Sequence, residues 1–319
     1  LFSNAYLVKA NSDILSQDST GKYCINTEQD YYNFIENIQN YNNKTVILCN
    51  DIDISDVPEA TSSFGGILNG KGHTITYASK EAKENIAVFP FRINDNGIVE
   101  NINVQIDESY AYNSETDEFQ TVFSRCDGIA KGITIKGNVT CIYDDEDTDV
   151  YIGAIEGNGT LMDSSIAITY DLQSEKTIEE IADDIVDNDL SFEFCQLGTI
   201  NTGITYQNCI GYGQYSEAIK SLADELEPKI KDNTWGYLCV SFTRKSFFST
   251  SASATNCYYD KENMPDIKIM SEYITNRDNN KEFPNYADFG KTTSEMKNQG
   301  TYEGFDFNKK WTISPEDNN

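Results

Sequence analysis

The stretch "NGIVENINVQI" (Asn96–Ile106) is echoed by "DGIAKGITIKG" (Asp127–Gly137). Three later segments fall into the same frame: "GTLMDSSIAIT" from Gly159, "TGITYQNCIGY" from Thr202 and "SASATNCYYD" from Ser251. Each has a turn residue, a short extended run, a small polar residue, then an apolar one. The small polar column reads Asn101, Gly132, Ser165, Asn208, Asn256, and the next reads Ile102, Ile133, Ile166, Cys209, Cys257. Successive members of the second column lie 31, 33, 43 and 48 residues apart. A short apolar piece opens each unit, as in "AVFPF", "TVFSR", "YIGAI" and "FEFCQL". Short strands joined by Gly/Asn turns at a repeating interval are the grammar of a parallel β-solenoid. One coil cannot bury its own inner face, whereas stacked coils build a continuous core of like residues.

The two long intervals contain helical periodicity. Within 175–190, Ile178, Ile181, Ala182 and Ile185 share a face, and within 215–232, Ile219, Leu222, Ala223, Leu226 and Ile230 do. Both segments read as amphipathic helices laid on the flank of the coils. An open solenoid needs covered ends. At the N-terminus, Thr27 followed by Asp30 signals a helix start, and Tyr31, Phe34, Ile35 and Ile38 form its stripe. At the C-terminus, Met296, Tyr302, Phe305, Phe307 and Trp311 are placed to cover the last coil. The chain is expected to be one domain, 1–319, with a cap at 1–45, coils over 46–260 and a second cap at 261–319.

The run "YCINTEQDYYNFIENIQNYNNKTVILCNDIDIS…FGGILNGKGHTI" resembles the opening segment of right-handed β-helix modules in large secreted bacterial surface proteins, the GLUG-repeat type. The shared pattern is a Thr-initiated cap helix, a strand ending in Asn-Asp-Ile-Asp, then Phe-x-Gly-x-x-Asn-Gly-x-Gly-His-x-Ile. The closing segment is also similar, through Thr293, Glu295, Met296, Gly304, Asp306, Phe307 and Trp311. The Gly-Leu-x-Gly signature of that family is reduced to "IGAI" (Ile152–Ile155), and Phe305 stands where Trp is usual. The resemblance implies an all-β fold, a right-handed parallel β-helix with capped ends. It also implies an extracellular or cell-surface location, with a glycan or a host or bacterial surface protein as partner.

The function classes narrow on composition. Lys and Arg number 24 against 52 Asp and Glu, for a net charge of −28. Such a charge repels nucleic acid and anionic membranes and attracts divalent cations. The longest apolar run, "IAVFPF", is far too short to span a bilayer, so no transmembrane segment is expected. With no initiating Met and no secretory segment, the chain reads as processed or cut from a longer one. Gly65 opens a Gly-x-x-x-x-Gly-Lys run, but Gly72 stands where a phosphate-binding loop needs Ser or Thr. These glycines read as tight turns, and the single histidine, His73, as a corner residue. The eight cysteines show no Cys-x-x-Cys pair and sit in strand-like runs, which suits buried free thiols rather than zinc ligands. Cys209 and Cys257 would be neighbours in stacked coils, close enough for a disulfide; free thiols are the preferred reading.

Three constellations are candidates for chemistry. "YDDEDTD" offers Asp144, Asp145, Glu146, Asp147 and Asp149, oxygen ligands of the kind calcium takes, although an EF-hand's Gly and terminal Glu are missing. A solvated acidic loop is the competing reading. Tyr110, Tyr112, Tyr258 and Tyr259 are candidate exposed platforms for sugar rings or partner surfaces. Converging carboxylates for glycoside hydrolysis would make the protein a carbohydrate-active enzyme, a polysaccharide lyase or glycoside hydrolase; only Asp51 and Asp53 show the required alternation, and they belong to the opening segment. The expectation is therefore a non-catalytic surface module for adhesion, display or binding, with no cofactor beyond calcium, and the enzyme as its alternative.

Overall fold

In a computed structural model, residues 15–55, 57–58, 60, 62–78, 87–111, 119–143, 149–197, 203–231, 235–241, 253–264, 267–269 and 289–313 are described. The chain begins with β1 (Tyr23–Ile25), α1 (Glu28–Glu36), β2 (Thr45–Leu48), β3 (Ile52–Ile54), β4 (Ile67–Asn69) and β5 (Thr74–Ala78). It then alternates between two sheets. The smaller sheet takes β6 (Phe89–Ile93), the larger β7 (Ile98–Ala111); β8 (Phe119–Cys126) returns to the smaller and β9 (Ile129–Ile142) to the larger. The alternation continues with β10 (Val150–Ile155), then β11 (Thr160–Met162) and β12 (Ser165–Gln173). After α2 (Ile178–Asp187) come β13 (Ser191–Cys195), β14 (Thr205–Gln207), β15 (Ile210–Gly211) and β16 (Gln214–Tyr215). After α3 (Glu217–Leu226) come β17 (Tyr237–Ser241), β18 (Ser253–Thr255), β19 (Tyr258–Asp260), β20 (Ile267–Ile269), β21 (Gly290–Lys291) and α4 (Thr293–Met296).

The larger sheet pairs its strands in parallel throughout, in the order β1-β2-β4-β7-β9-β12-β15-β19-β21, with the shorter strands beside this path. The smaller sheet runs β20-β17-β13-β10-β8-β6, parallel except for the β17–β20 pair. The apolar pieces that open each unit are the strands of the smaller sheet. Its Phe89, Phe91, Phe123, Phe192 and Phe194 are buried in one core with Val99, Ala130, Leu161 and Tyr206 of the larger sheet. Rings join the two inner faces: Tyr143 meets Phe192 at 4.9 Å and Tyr170 meets Phe194 at 6.1 Å.

A corner divides each pass through the larger sheet. Asn101, Gly132, Asp163, Asn208 and Asn256 all adopt left-handed backbone, with φ between 50° and 63°. Asn and Gly reach this region most cheaply, which is why the column is written in them. The third member corrects the sequence alignment: Ser165 pairs with Thr134 and Ile166 with Ile135, so Asp163 and Ser164, not Ser165 and Ile166, occupy the repeat columns. Period two puts Ser164 and Ile166 on the same inner face, so burial pattern alone did not separate them. Ser164 is buried and satisfied, donating to the Met162 carbonyl at 2.7 Å and accepting from Ile133 N–H at 3.1 Å. The corner side chains bond along the column: Asn208 Nδ2 donates to Asp163 Oδ1 at 3.0 Å and Asn256 Nδ2 to Asn208 Oδ1 at 3.3 Å.

The helices lie where periodicity placed them. Thr27 caps α1, accepting from Asp30 N–H. Phe34 of α1 packs on Phe64 and Phe91 at 5.4 and 5.7 Å, and Tyr31 donates to the Val88 carbonyl, so α1 closes one end of the core. α2 starts in a capping box of Thr177 and Glu180, and its Ile181, Ala182 and Ile185 are buried. Ile219, Leu222, Ala223 and Leu226 of α3 are buried too. Lys229 ties the two helices together through Asp183 at 2.7 Å.

The C-terminal segment packs on the last passes from their outer side. β21 does add a strand beside β19, but Met296 and Tyr302 form a second apolar cluster with Ile210 and Tyr258, flanked by Phe305, Phe307, Trp311 and Ile313. Ile210 and Tyr258 stand in the outward column continuing Asn103, Thr134 and Ser165. The segment is thus a strap across the outside of the larger sheet. Lys310 fastens it to Asp163 at the corner, 2.6 Å away.

Candidate binding face

One outward column of the larger sheet runs through the positions three residues before the five left-handed corners and continues in register onto the two preceding strands. In register these are Thr45, Ile67, Ile98, Ile129, Thr160, Thr205 and Ser253. All are half-buried or exposed, while the residues that follow them in sequence from Val46 to Tyr206 are buried. A second column runs beside it: Asn69, Glu100, Lys131, Met162, Gln207 and Thr255. Its charges cancel, because Glu100 accepts from Asn69 Nδ2 at 2.6 Å and pairs with Lys131 at 2.8 Å. At about 4.8 Å per strand, seven strands give a strip roughly 29 Å long. In a chain of net charge −28 these two columns carry hydroxyls, amides, three stacked isoleucines and the Glu100–Lys131 pair.

The outer face of the smaller sheet carries a different constellation. Tyr151, Ser191, Glu193, Tyr237 and Cys239 occupy outward positions on neighbouring strands, and all are buried. Asp149 joins them: its carboxylate accepts from Ser191 N–H at 2.6 Å and from the Tyr151 hydroxyl at 3.2 Å. Tyr237 donates to Glu193 at 2.5 Å. Burial pushes the Tyr151 phenol up to about 12 and raises Tyr237 further, so both stay protonated donors near neutrality. Glu193 is 0% exposed, which closes it to a polymeric substrate in this structure.

The residues singled out in sequence fall in several places. Asp144, Asp145, Glu146 and Asp147 lie outside the described residues, and Asp149 is engaged as above. Among the described residues no group of three or more His, Cys, Asp or Glu stands arranged to hold a metal ion. Tyr110 lies in β7, paired in register with Cys141, and Tyr112 lies outside the described residues. Tyr258 and Tyr259 are buried, which corrects the expectation of exposed rings there. Tyr258 is covered by Tyr302 and Phe305, and its hydroxyl accepts from Glu303 N–H at 3.1 Å. Gly70 to Gly72 form a tight turn between β4 and β5, with Lys71 at φ 52° and Gly72 at φ 82°; a strand follows it where a phosphate-binding loop has a helix. His73 sits at that corner, its Nδ1 3.0 Å from Asp51 Oδ1.

The outward strip was missed at the sequence level, although its signal was present in the repeat alignment as the position three before each corner. Free thiols were expected at all eight cysteines; instead Cys24 and Cys49 form a disulfide, with Cα atoms 5.8 Å apart. They lie on and just after β1 and β2, which pair in parallel, so one pass of the chain brings them together. The other six cysteines are free and buried. Among the described residues no helix is long and apolar enough to cross a membrane. Comparison with protein-family models, curated proteins and solved structures yields no match.

Proposed function

We propose that this chain is a right-handed parallel β-helix of the GLUG-repeat type and serves as a non-catalytic surface module, binding a glycan or a surface protein along one sheet face. The fold reading is supported by the alternation from β6 onward between two largely parallel sheets and by the left-handed corner shared by five passes. The functional reading is carried by one observation: the long strip from Thr45 to Ser253, whose charged pair Glu100–Lys131 is mutually neutralised, on an otherwise acidic molecule. Stacked Ile67, Ile98 and Ile129 supply apolar contact, and the flanking hydroxyls and amides supply hydrogen bonds for a neutral partner. An extracellular setting agrees with the Cys24–Cys49 disulfide, since such bonds persist in oxidising compartments. Calcium is the one ion proposed, at the acidic loop ending in Asp149.

The alternative, a carbohydrate-active enzyme, rests on the carboxylates of Asp149, just before β10, and of Glu193 in the adjacent β13. Glycosidic hydrolysis uses two such groups about 5–9 Å apart, but it needs them open to the sugar. The test is a panel of plant, mucin and microbial polysaccharides and of surface proteins, with and without calcium, scoring retention and released product together. Retention that is lost in Ile98→Asp or Thr160→Asp, with no product released, supports the binding module. Shortened product that disappears in Glu193→Gln would instead establish the enzyme.

A further inference from the structure

We infer that Cys209 and Cys257 are an oxidisable dithiol that closes into a second disulfide, joining adjacent passes of the chain beside the C-terminal strap. Their register is fixed from both sides: Gln207 pairs with Thr255 and Ile210 with Tyr258, which sets Cys209 directly against Cys257. Both follow a left-handed corner residue, so both side chains turn inward together, and both are fully buried. In-register neighbours on parallel strands are about 4.8 Å apart, inside the Cα separation a disulfide spans. In the smaller sheet, Cys239 is instead paired in register with Glu193 and Cys195 with Ser241.

The two side chains lie within hydrogen-bonding reach of each other. Burial holds the Cys209 thiol up, so the pair reacts only through the thiolate that forms when the site opens. The oxidant is a low-molecular-weight disulfide. One of the two cysteines, as its thiolate, displaces one thiol of that reagent to form a mixed disulfide, and the other, losing its proton, displaces the second. One protein S–S bond forms as the reagent's S–S bond breaks; the pair loses two electrons and two protons, and the reagent gains them as two thiols. Because both sulfurs are buried, exchange occurs while the chain folds or opens. The closed bond would pin the Asn208–Asn256 corner, on which Gly304 of the strap rests.

The full chain is refolded in a mixture of reduced and oxidised glutathione, and separately in excess reductant. Free thiols are alkylated, the protein is digested without reduction and the peptides are identified by mass. The expected result is a Cys209 peptide joined to a Cys257 peptide, with the free-thiol titre two below the six free cysteines. Cys257→Ala should abolish that species and leave the Cys24–Cys49 bond intact. In a Cys24→Ala, Cys49→Ala background, the oxidised protein should melt at a higher temperature than the reduced one. Alkyl label on both Cys209 and Cys257 in protein whose Cys24–Cys49 bond has formed would overturn the inference. So would pairing of either residue with a different cysteine.

Discussion

At Asn101 the backbone sits at φ 54°, a region where most side chains crowd the following carbonyl. Replacing it with Val adds β-branching there, and the expected loss is about 1–2 kcal/mol, read as a lower urea midpoint with unchanged slope. Asn101→Gly should change stability far less. The sequence alignment identified four members of this column and assigned the third to Ser165, because Asp163, Ser164 and Ser165 are all small and polar. Asp127 gives a pH-dependent prediction. Burial alone would raise its pKa, but hydrogen bonds from Arg125 and Asn158 and the nearby Arg92 hold it below the ordinary carboxylate value. A group with a depressed folded-state pKa stabilises above its unfolded value of about 3.9, and that contribution is lost as pH falls through the folded value. Asp127→Asn should therefore destabilise the protein at neutral pH and flatten its loss of stability below about pH 4, measured by denaturation across pH.

At the scale of elements, local chemistry decided more than long-range packing. The Thr177–Glu180 capping box starts α2, and Thr177→Ala should cost about 1 kcal/mol, seen in the thermal midpoint. Both inserted helices were legible because their apolar stripe repeats at the helical period and their caps lie within one turn. The strap was not legible as a strap. Its aromatic residues announced burial, but the surface they cover is made by Ile210 and Tyr258, which share a face only after two passes have stacked. Phe305→Ala removes contacts to Tyr258, Tyr302 and Trp311. It should loosen the strap before the sheets unfold, giving an increase in hydrophobic-dye binding and faster proteolysis near residue 305 with strand content retained.

For the whole molecule, a net charge of −28 works against compaction through self-repulsion. Raising ionic strength from about 0.01 M to about 0.15 M shortens the screening length from about 30 Å to about 8 Å. The melting temperature should rise by a few degrees over that range, and a flat response would show that the acidic groups are already compensated. The Cys24–Cys49 bond closes a loop over a separation of 25 residues, for which chain entropy gives about 3 kcal/mol, so Cys24→Ser should unfold the α1 end first. The sequence by itself determined the strand rhythm, the corner residues, the helices and the acidic character, because each depends on local backbone preference or on composition. Only the tertiary structure decided the third corner, the disulfide, the burial of Tyr258 and Tyr259, the strap and the outward strip. Each of these depends on which residue of one pass lies against which residue of the next, and inter-strand register is set by packing across the whole stack rather than by any single segment.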